Sequence, residues 1–395
     1  MMNHINIQKI IKSTKKLFKT DFGAAFIITA IWKTSMVFIG FIMDISINGS
    51  AGLLSHTARW DSGWYMTVIK DSYVTNVASA AFYPLFPISV SIVRFISFNT
   101  IDVLTAGQIV NTISVWFIIA ALIVISKKLL STKNKFWLVA VLLSAPTAFF
   151  LHVFYSEALF MALGFWAYIF AFRHKWLYMG ILLSILSCSR LPSLLVIGLC
   201  GLEFMRSYKW NIKSIFNKKL LYFLLAPIGF IAYGLYLLKT RGDFFAMFHA
   251  YQATNDWSYQ LFDINIIKTI IKITYQVFLS LIGQRVIDND IVFNHLLPVI
   301  AIFTLIFSSI YLLTKNNDKY KPLGIIGLVS VVMFSLNGNL VSVHRYVLPC
   351  LTIYIALLLI IKGDYRKIIL SLICVSGFVI QMILYYLFIS YVFVG

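Results

Sequence analysis

Seven consecutive residues, Arg59-Trp60-Asp61-Ser62-Gly63-Trp64-Tyr65, set an acid, a base, two indoles and a phenol side by side. A carboxylate such as Asp61 can take a proton from a hydroxyl group. The faces of Trp60, Trp64 and Tyr65 suit sugar rings or lipid stems, and Tyr83 adds another in Phe82-Tyr83-Pro84-Leu85-Phe86-Pro87. Later stretches supply more polar groups: Tyr155-Ser156-Glu157, Arg190, Asp243 and His344-Arg345-Tyr346. Arginines bind phosphate by paired, charge-assisted bonds. An acid flanked by aromatics and facing Arg59, Arg190 and Arg345 therefore suggests a site for a polar acceptor and an anionic lipid. Each residue also has a plainer reading. Asp61 can cap a helix, and Glu157 can be an end charge favoured by a helix dipole. Arg190 and Arg345 can be snorkelling anchors. His344 can be packed at an interface, and the aromatics can form an interfacial belt.

The elements that must position these residues are apolar. Of 395 residues, 60% are hydrophobic and 12% charged, against roughly 45–50% and about 25% in soluble domains. Apolar runs of about 18–25 residues recur along the chain, each long enough to cross a bilayer as a helix. The alternating pattern of a membrane barrel is absent. The formal net charge of +19 resides mostly in short loops between apolar runs, which is a positive-inside bias rather than a nucleic-acid signature. Cys188, Cys200, Cys350 and Cys374 lie in or beside apolar runs without CxxC spacing. Neither a disulfide framework nor a metal site is expected from them, and no cofactor is required.

The expected fold is an all-α polytopic membrane protein with about eleven transmembrane helices. Residues 1–21 form a basic cytoplasmic segment, with Lys9, Lys12, Lys15, Lys16 and Lys19, and no cleaved signal peptide is expected. Residues 22–395 form one membrane domain. Its first span covers about 22–43, with Lys33 facing the interior. A first outer loop, 44–102, carries two interfacial helices, about 61–72 and 86–98, with Pro84 and Pro87 in the first turn of the second. Spans follow at about 103–126, 136–153 and 158–172. Residues 177–205 are read as two short spans meeting at Ser189-Arg190-Leu191-Pro192. A span at about 220–238 leads to a second outer segment, 239–290. That segment includes Asn255-Asp256-Trp257 and a helix over 264–283 lying on the interface. The last spans are about 291–313, 322–340, 345–361 and 368–392.

Taken together these stretches resemble the PIG-V family, the GPI mannosyltransferase II-like glycosyltransferases of the GT-C superfamily. The likeness lies in Arg59–Tyr65, Phe82–Pro87, Tyr155-Ser156-Glu157-Ala158-Leu159-Phe160, Ser189-Arg190-Leu191-Pro192, Gly242-Asp243-Phe244-Phe245-Ala246 and His344-Arg345-Tyr346-Val347-Leu348-Pro349, over roughly residues 20 to 360. Where relatives often have Asn-Gly after the Arg-Pro element, this chain has Arg190-Leu191-Pro192-Ser193.

The resemblance implies a GT-C-like enzyme that takes a sugar from a polyprenyl-phosphate carrier on the non-cytoplasmic face. Its essential acid stands in the first outer loop, at Asp61. The partners so implied are a lipid-linked sugar donor, a glycan or lipid acceptor and the bilayer, with no nucleic acid. The expected location is a bacterial plasma membrane, with a cytoplasmic N-terminus. Two other classes fit the composition. One is a transporter or lipid flippase, and the other is a non-catalytic scaffold of a cell-envelope assembly.

Overall fold

A computed structural model of the protein describes residues 20–131, 135–251 and 262–395. The N-terminal lysines, Lys133 and Asn255-Asp256-Trp257 lie outside the described residues. Among those described, the chain is helical throughout, with no strand. The principal helices are α1 (Asp21–Asn48), α2 (Asp61–Asp71), α3 (Leu85–Ile96), α4 (Val103–Leu129), α5 (Lys135–Leu143), α6 (Glu157–Phe172), α7 (Trp176–Ser187) and α8 (Ser193–Ser207). They continue with α9 (Ile228–Arg241), α10 (Ile266–Leu281), α11 (Leu297–Leu313), α12 (Lys321–Ser335), α13 (Leu351–Ile360) and α14 (Arg366–Ile389).

Among the described residues five helical stretches are long and apolar enough to cross a membrane: Asp21–Asn48, Val103–Leu129, Lys218–Arg241, Ile291–Leu313 and Arg366–Ile389. The other expected spans are shorter or broken helices, and local chemistry explains why. The run expected over 136–153 stops at Leu143 and resumes as a 3-10 turn at Ala148–Leu151. The break is accommodated by α14, where Gln381 Nε2 donates to the Leu143 carbonyl at 3.3 Å. Gly377 lies directly against the Ser144 carbonyl, where a side chain would collide. The expected interruption near residue 190 is also present, between α7 and α8, with Pro192 at the start of α8. There the Cys188 carbonyl accepts from the Leu85 N–H at 3.1 Å. A main-chain group freed by one broken helix is thus used by the loop that starts α3.

The core is built on α4. Ile118 to Ile123 are fully buried on every side of that helix, as befits one apolar all round. It packs against α1, α3, α5 and α6, while α6 also meets α7 and α8 and α11 meets α12 and α13. Asp102 caps α4 by accepting from Thr105 N at 2.9 Å. At the other end Lys127 pairs with Asp21 at 2.6 Å, pinning α4 to the start of α1. Lys33 is buried midway along α1 and donates to Gln108 Oε1 at 2.7 Å. Gln108 Nε2 in turn donates to the His152 carbonyl at 2.7 Å.

The two helices expected in the loop after α1 are α2 and α3. The apolar residues Ile88, Ile92, Phe95 and Ile96 remain exposed along α3. The helix expected over 264–283 is α10, which buries Thr269, Ile273, Val277 and Ser280 and exposes Ile267, Ile271, Phe278 and Leu281. That is the one-sided pattern of a helix lying on a surface.

The Lys33–Gln108–His152 chain gives a direct test. Gln108→Leu leaves a buried amine and a buried carbonyl without their partner, and should cost about 3 kcal/mol. Lys33→Met together with Gln108→Leu should recover much of that loss. Thermal unfolding of the purified variants in detergent measures both.

Candidate active site

Asp61 is held in place by a sharp turn. Trp60 has φ 52° and ψ −117°, a strained backbone for a bulky residue, worth on the order of 1–3 kcal/mol. The turn sends neighbouring side chains in opposite directions. Arg59 goes inward, where Nη2 pairs with Asp44 Oδ1 at 2.9 Å, Nη1 donates to the Ser55 carbonyl at 2.6 Å and Nε to the Ile389 carbonyl at 3.2 Å. Asp61 becomes the first residue of α2, and no side chain caps that helix. The capping alternative for Asp61 is therefore not realised.

The loop bearing Asp61 is bonded to the segment bearing Glu157. The Asp61 N–H donates to Tyr155 Oη at 3.1 Å, and Tyr65 Oη and Ser156 Oγ share a hydrogen bond of 2.7 Å. The Thr57 carbonyl accepts from the Phe154 N–H at 3.0 Å and from Ser62 Oγ at 3.3 Å. Burial pushes the Tyr65 phenol well above its ordinary range, so it acts as a neutral hydrogen-bonding group.

Four charges from distant parts of the chain meet here. Glu157 Oε1 pairs with Arg190 Nη1 at 2.6 Å and with Arg345 Nε at 2.5 Å. Arg345 Nη1 reaches on to Asp61 Oδ2 at 2.9 Å. Two carboxylates thus balance two guanidinium groups. The Arg345 guanidinium lies 4.6 Å from the Tyr155 ring centre and 5.0 Å from that of Phe150, and Arg190 lies 5.5 Å from Tyr346. Such ring contacts favour a cation taken out of water.

Access is graded across the group. The side chains of Glu157 and Arg345 are 3% and 4% exposed, Arg190 is 14% and Asp61 28%. The buried members form the frame, and Asp61 and Arg190 face what enters. Among the described residues no hydrogen bond or ion pair engages Asp61 Oδ1. Among the described residues Glu157 Oε2, itself buried, has no hydrogen-bond partner.

The short turn Val343–Tyr346 delivers Arg345, and it starts from Ser342 in a left-handed conformation with φ 63°. His344 points to the other side and bonds the Val394 carbonyl through Nε2 at 2.7 Å, while Arg345 Nη1 donates to the Gly395 oxygen at 3.1 Å. His344 is thus a packed residue that anchors Val394, in line with its plainer reading. Burial pushes its imidazole down to about 4.

Several residues expected at the site stand beside it. Arg59 is committed to Asp44 and main-chain carbonyls. Asp243 pairs with His249 at 2.6 Å, and that bond holds its carboxyl below the usual range. The short turn that follows Asp243, Ala246–His249, packs on the Val77–Ala81 turn. Trp60 is 40% exposed and edge-on to Phe393, and Trp64 stacks on Phe82 at 5.7 Å. Tyr83 is buried against Tyr233. Tyr251, which sequence reasoning did not single out, packs against the cluster that includes Tyr83 and Tyr233, and burial pushes its phenol above the ordinary range. No motif announced it. Asp44, at the start of the expected first outer loop, carries no sign of its pairing with Arg59 either. In comparison with known proteins, no family model matches the chain and no curated protein matches it.

Two outcomes are expected. Glu157→Ala leaves two guanidinium groups without their shared anion and should cost about 3–5 kcal/mol, read as a lower midpoint of thermal unfolding. His344 has a folded pKa of about 4 against an ordinary 6.5, so the unfolded chain takes up its proton first as the pH falls. The stability it contributes is complete above 6.5 and is lost as the pH drops toward 4, on the order of 3 kcal/mol in all. His344→Gln should flatten that part of the stability–pH curve.

Proposed function

We propose that the protein is a membrane glycosyltransferase of the GT-C type. In this reading it moves a sugar, of the mannosyl type that the PIG-V resemblance implies, from a polyprenyl-phosphate carrier to an acceptor hydroxyl, with inversion. The observation that carries the reading is the linked set Asp61–Arg345–Glu157–Arg190, with a partly accessible carboxylate at one edge and a partly accessible guanidinium at the other. It sits at one end of a bundle containing helices long enough to cross a membrane. The basic residues Lys127, Lys128, Arg173, Lys175 and Arg206 mark the ends of the intervening helices remote from it. By the positive-inside bias those ends are cytoplasmic, and the Asp61 end faces outward from a bacterial plasma membrane. The PIG-V resemblance supports the same orientation and the same acid.

The chemistry then follows in one step. Asp61 accepts the proton of the acceptor hydroxyl, whose oxygen forms the new bond to the anomeric carbon. The bond from that carbon to the carrier phosphate oxygen breaks on the opposite face, and the phosphate leaves with the electron pair. Arg190 is the candidate to stabilise the charge that gathers there. Arg345 holds Asp61 at its place, and Glu157 fixes both arginines. Arg59 and Asp243 act on the framework around this set.

The transporter reading has less to stand on. The internal charges compatible with it, Lys33 and Arg190, are tied to Gln108 and Glu157, and the other polar groups gather at one end.

Asp61→Asn should abolish transfer of sugar from a polyprenyl-phosphate donor while the protein elutes and unfolds like the parent. Turnover within about tenfold of the parent would remove the proposed base, since general-base catalysis contributes roughly 10²–10⁴-fold.

A further inference from the structure

Two histidines outside the charge cluster are bonded to each other in the interior. His56 and His152 are 0% exposed, and their Nε2 atoms lie 3.2 Å apart. The ring centres are 5.4 Å apart and the planes differ by 18°. The rings therefore meet nitrogen to nitrogen, near one plane, instead of face to face. Only one proton fits between two facing ring nitrogens, so one Nε2 donates and the other accepts. Tyr385 stands edge-on to both rings. Gly40 completes the enclosure, because a side chain there would collide with His56 Nε2 and Tyr385 Oη. Among the described residues both Nδ1 atoms and Tyr385 Oη are buried without a hydrogen-bond partner. Two apolar side chains of that size would leave no polar atom unpaired and would serve folding at least as well.

The place of the pair in the chain supplies a reason for it. His56 precedes Asp61 by five residues, and His152 precedes Glu157 by five. The pair opens a series of bonds that join these two stretches in order: His56 with His152, Thr57 with Phe154, Asp61 with Tyr155 and Tyr65 with Ser156. Of these bonds, only the first is between groups that gain protons between neutral and mildly acid pH.

The surroundings keep both rings neutral. Lys33 of α1 is tied through Gln108 of α4 to the His152 carbonyl. Asp44, also of α1, accepts from Ser55 Oγ beside His56, but its charge is met by Arg59 at 2.9 Å. Tyr385 of α14 brings a phenol. Burial pushes the His56 imidazole down to about 4, with Asp44 drawing it up and Arg59 and Lys33 pushing it down.

We propose that His56 and His152 form an acid-labile clasp that positions Asp61 and Glu157 for the transfer step. It is closed while at least one ring is neutral and opens once both are protonated, when N–H would face N–H and charge would face charge. Both are positioning residues, acting through the two loops they join. The step they serve rests on the transferase reading above, whereas the clasp is measurable without transfer.

The test uses the full-length protein in nanodiscs. Hydrogen exchange at the Phe154 amide, which donates to the Thr57 carbonyl, reports the joint between the loops. Turnover of a polyprenyl-phosphate sugar reports its use. At neutral pH, His56→Leu or His152→Leu should speed that exchange about tenfold. Each should lower kcat by about tenfold to a hundredfold with KM for the donor within about twofold of the parent. The double variant should be no worse than either single, because all three lose the same bond. His56→Gln puts an amide in reach of His152 that donates to the neutral ring, accepts from the protonated one and does not titrate. It should keep parental kcat and exchange. Lowering the pH to about 4 should speed Phe154 exchange, relative to its intrinsic rate, in the parent and not in His56→Gln. Parental exchange and kcat in both leucine variants would overturn the clasp and leave the transferase reading standing. So would losses that add in the double variant, or a parent that exchanges like His56→Gln in acid. Faster exchange with unchanged kcat would overturn the positioning role. If a leucine variant fails to fold, as seen by gel filtration, the acid comparison of parent with His56→Gln decides. The expected exchange with no transfer even by the parent would uphold the clasp and overturn the transferase reading.

Discussion

The structure around the site depends on one oxygen atom. Glu157 Oε1 holds the guanidinium groups of Arg190 and Arg345 together in a place where neither could remain alone. A buried cation without its anion is strongly unfavourable, and a buried pair is tolerable only when further bonds satisfy what is left. The rings of Tyr155, Phe150 and Tyr346 and the Gly395 oxygen supply those further contacts. Because Arg345 is fixed through Nε by Glu157, its Nη1 can fix Asp61 at the accessible edge. The position of the acid is thus inherited from a buried interaction more than ninety residues further along the chain.

Two strained turns make that inheritance possible. Trp60 and Ser342 both adopt positive φ values without being glycine, and each immediately precedes the stretch that carries a charged member of the site. Such strain persists only where surrounding contacts outweigh it. Around Trp60 those contacts are the Arg59–Asp44 pair and the bonds of Asp61 and Tyr65 to the Tyr155–Ser156 segment. Around Ser342 they are the buried Val343 and the His344–Val394 bond. Both turns place adjacent side chains on opposite sides, one toward the frame and one toward the site.

Breaks in helices serve the same end. A continuous helix satisfies its own main chain, and so offers nothing to its neighbours except side chains. Where α5 stops at Leu143 and α7 stops at Ser187, carbonyl groups become available, and Gln381 and Leu85 use them. The second break also exposes Arg190 to the cluster. Short helices that look too brief to cross a membrane are therefore the places where polar chemistry is introduced into an apolar bundle.

Helical class and element positions were legible from the residues themselves. Hydrophobic runs and their interruptions depend on local composition, so α1, α4, the α2–α3 pair, the break before α8 and the one-sided α10 all lie near the expected ranges. The meeting of Asp61, Glu157, Arg190 and Arg345 was anticipated as a convergence on one end, because helices of alternating direction bring those loops together. Which charge meets which was decided only in three dimensions. Arg59 adjoins Asp61 in the chain yet turns to Asp44, and Arg345 reaches Asp61 from the far end of the sequence. Asp243 and Glu157 looked alike as loop acids, but one pairs with His249 at the surface and the other anchors two buried cations. Tyr251 and the tail at Val394 carry no local signal at all. Periodicity records where a chain is apolar. The direction of a side chain depends on backbone turns and on partners hundreds of residues away, and those exist only in the folded protein.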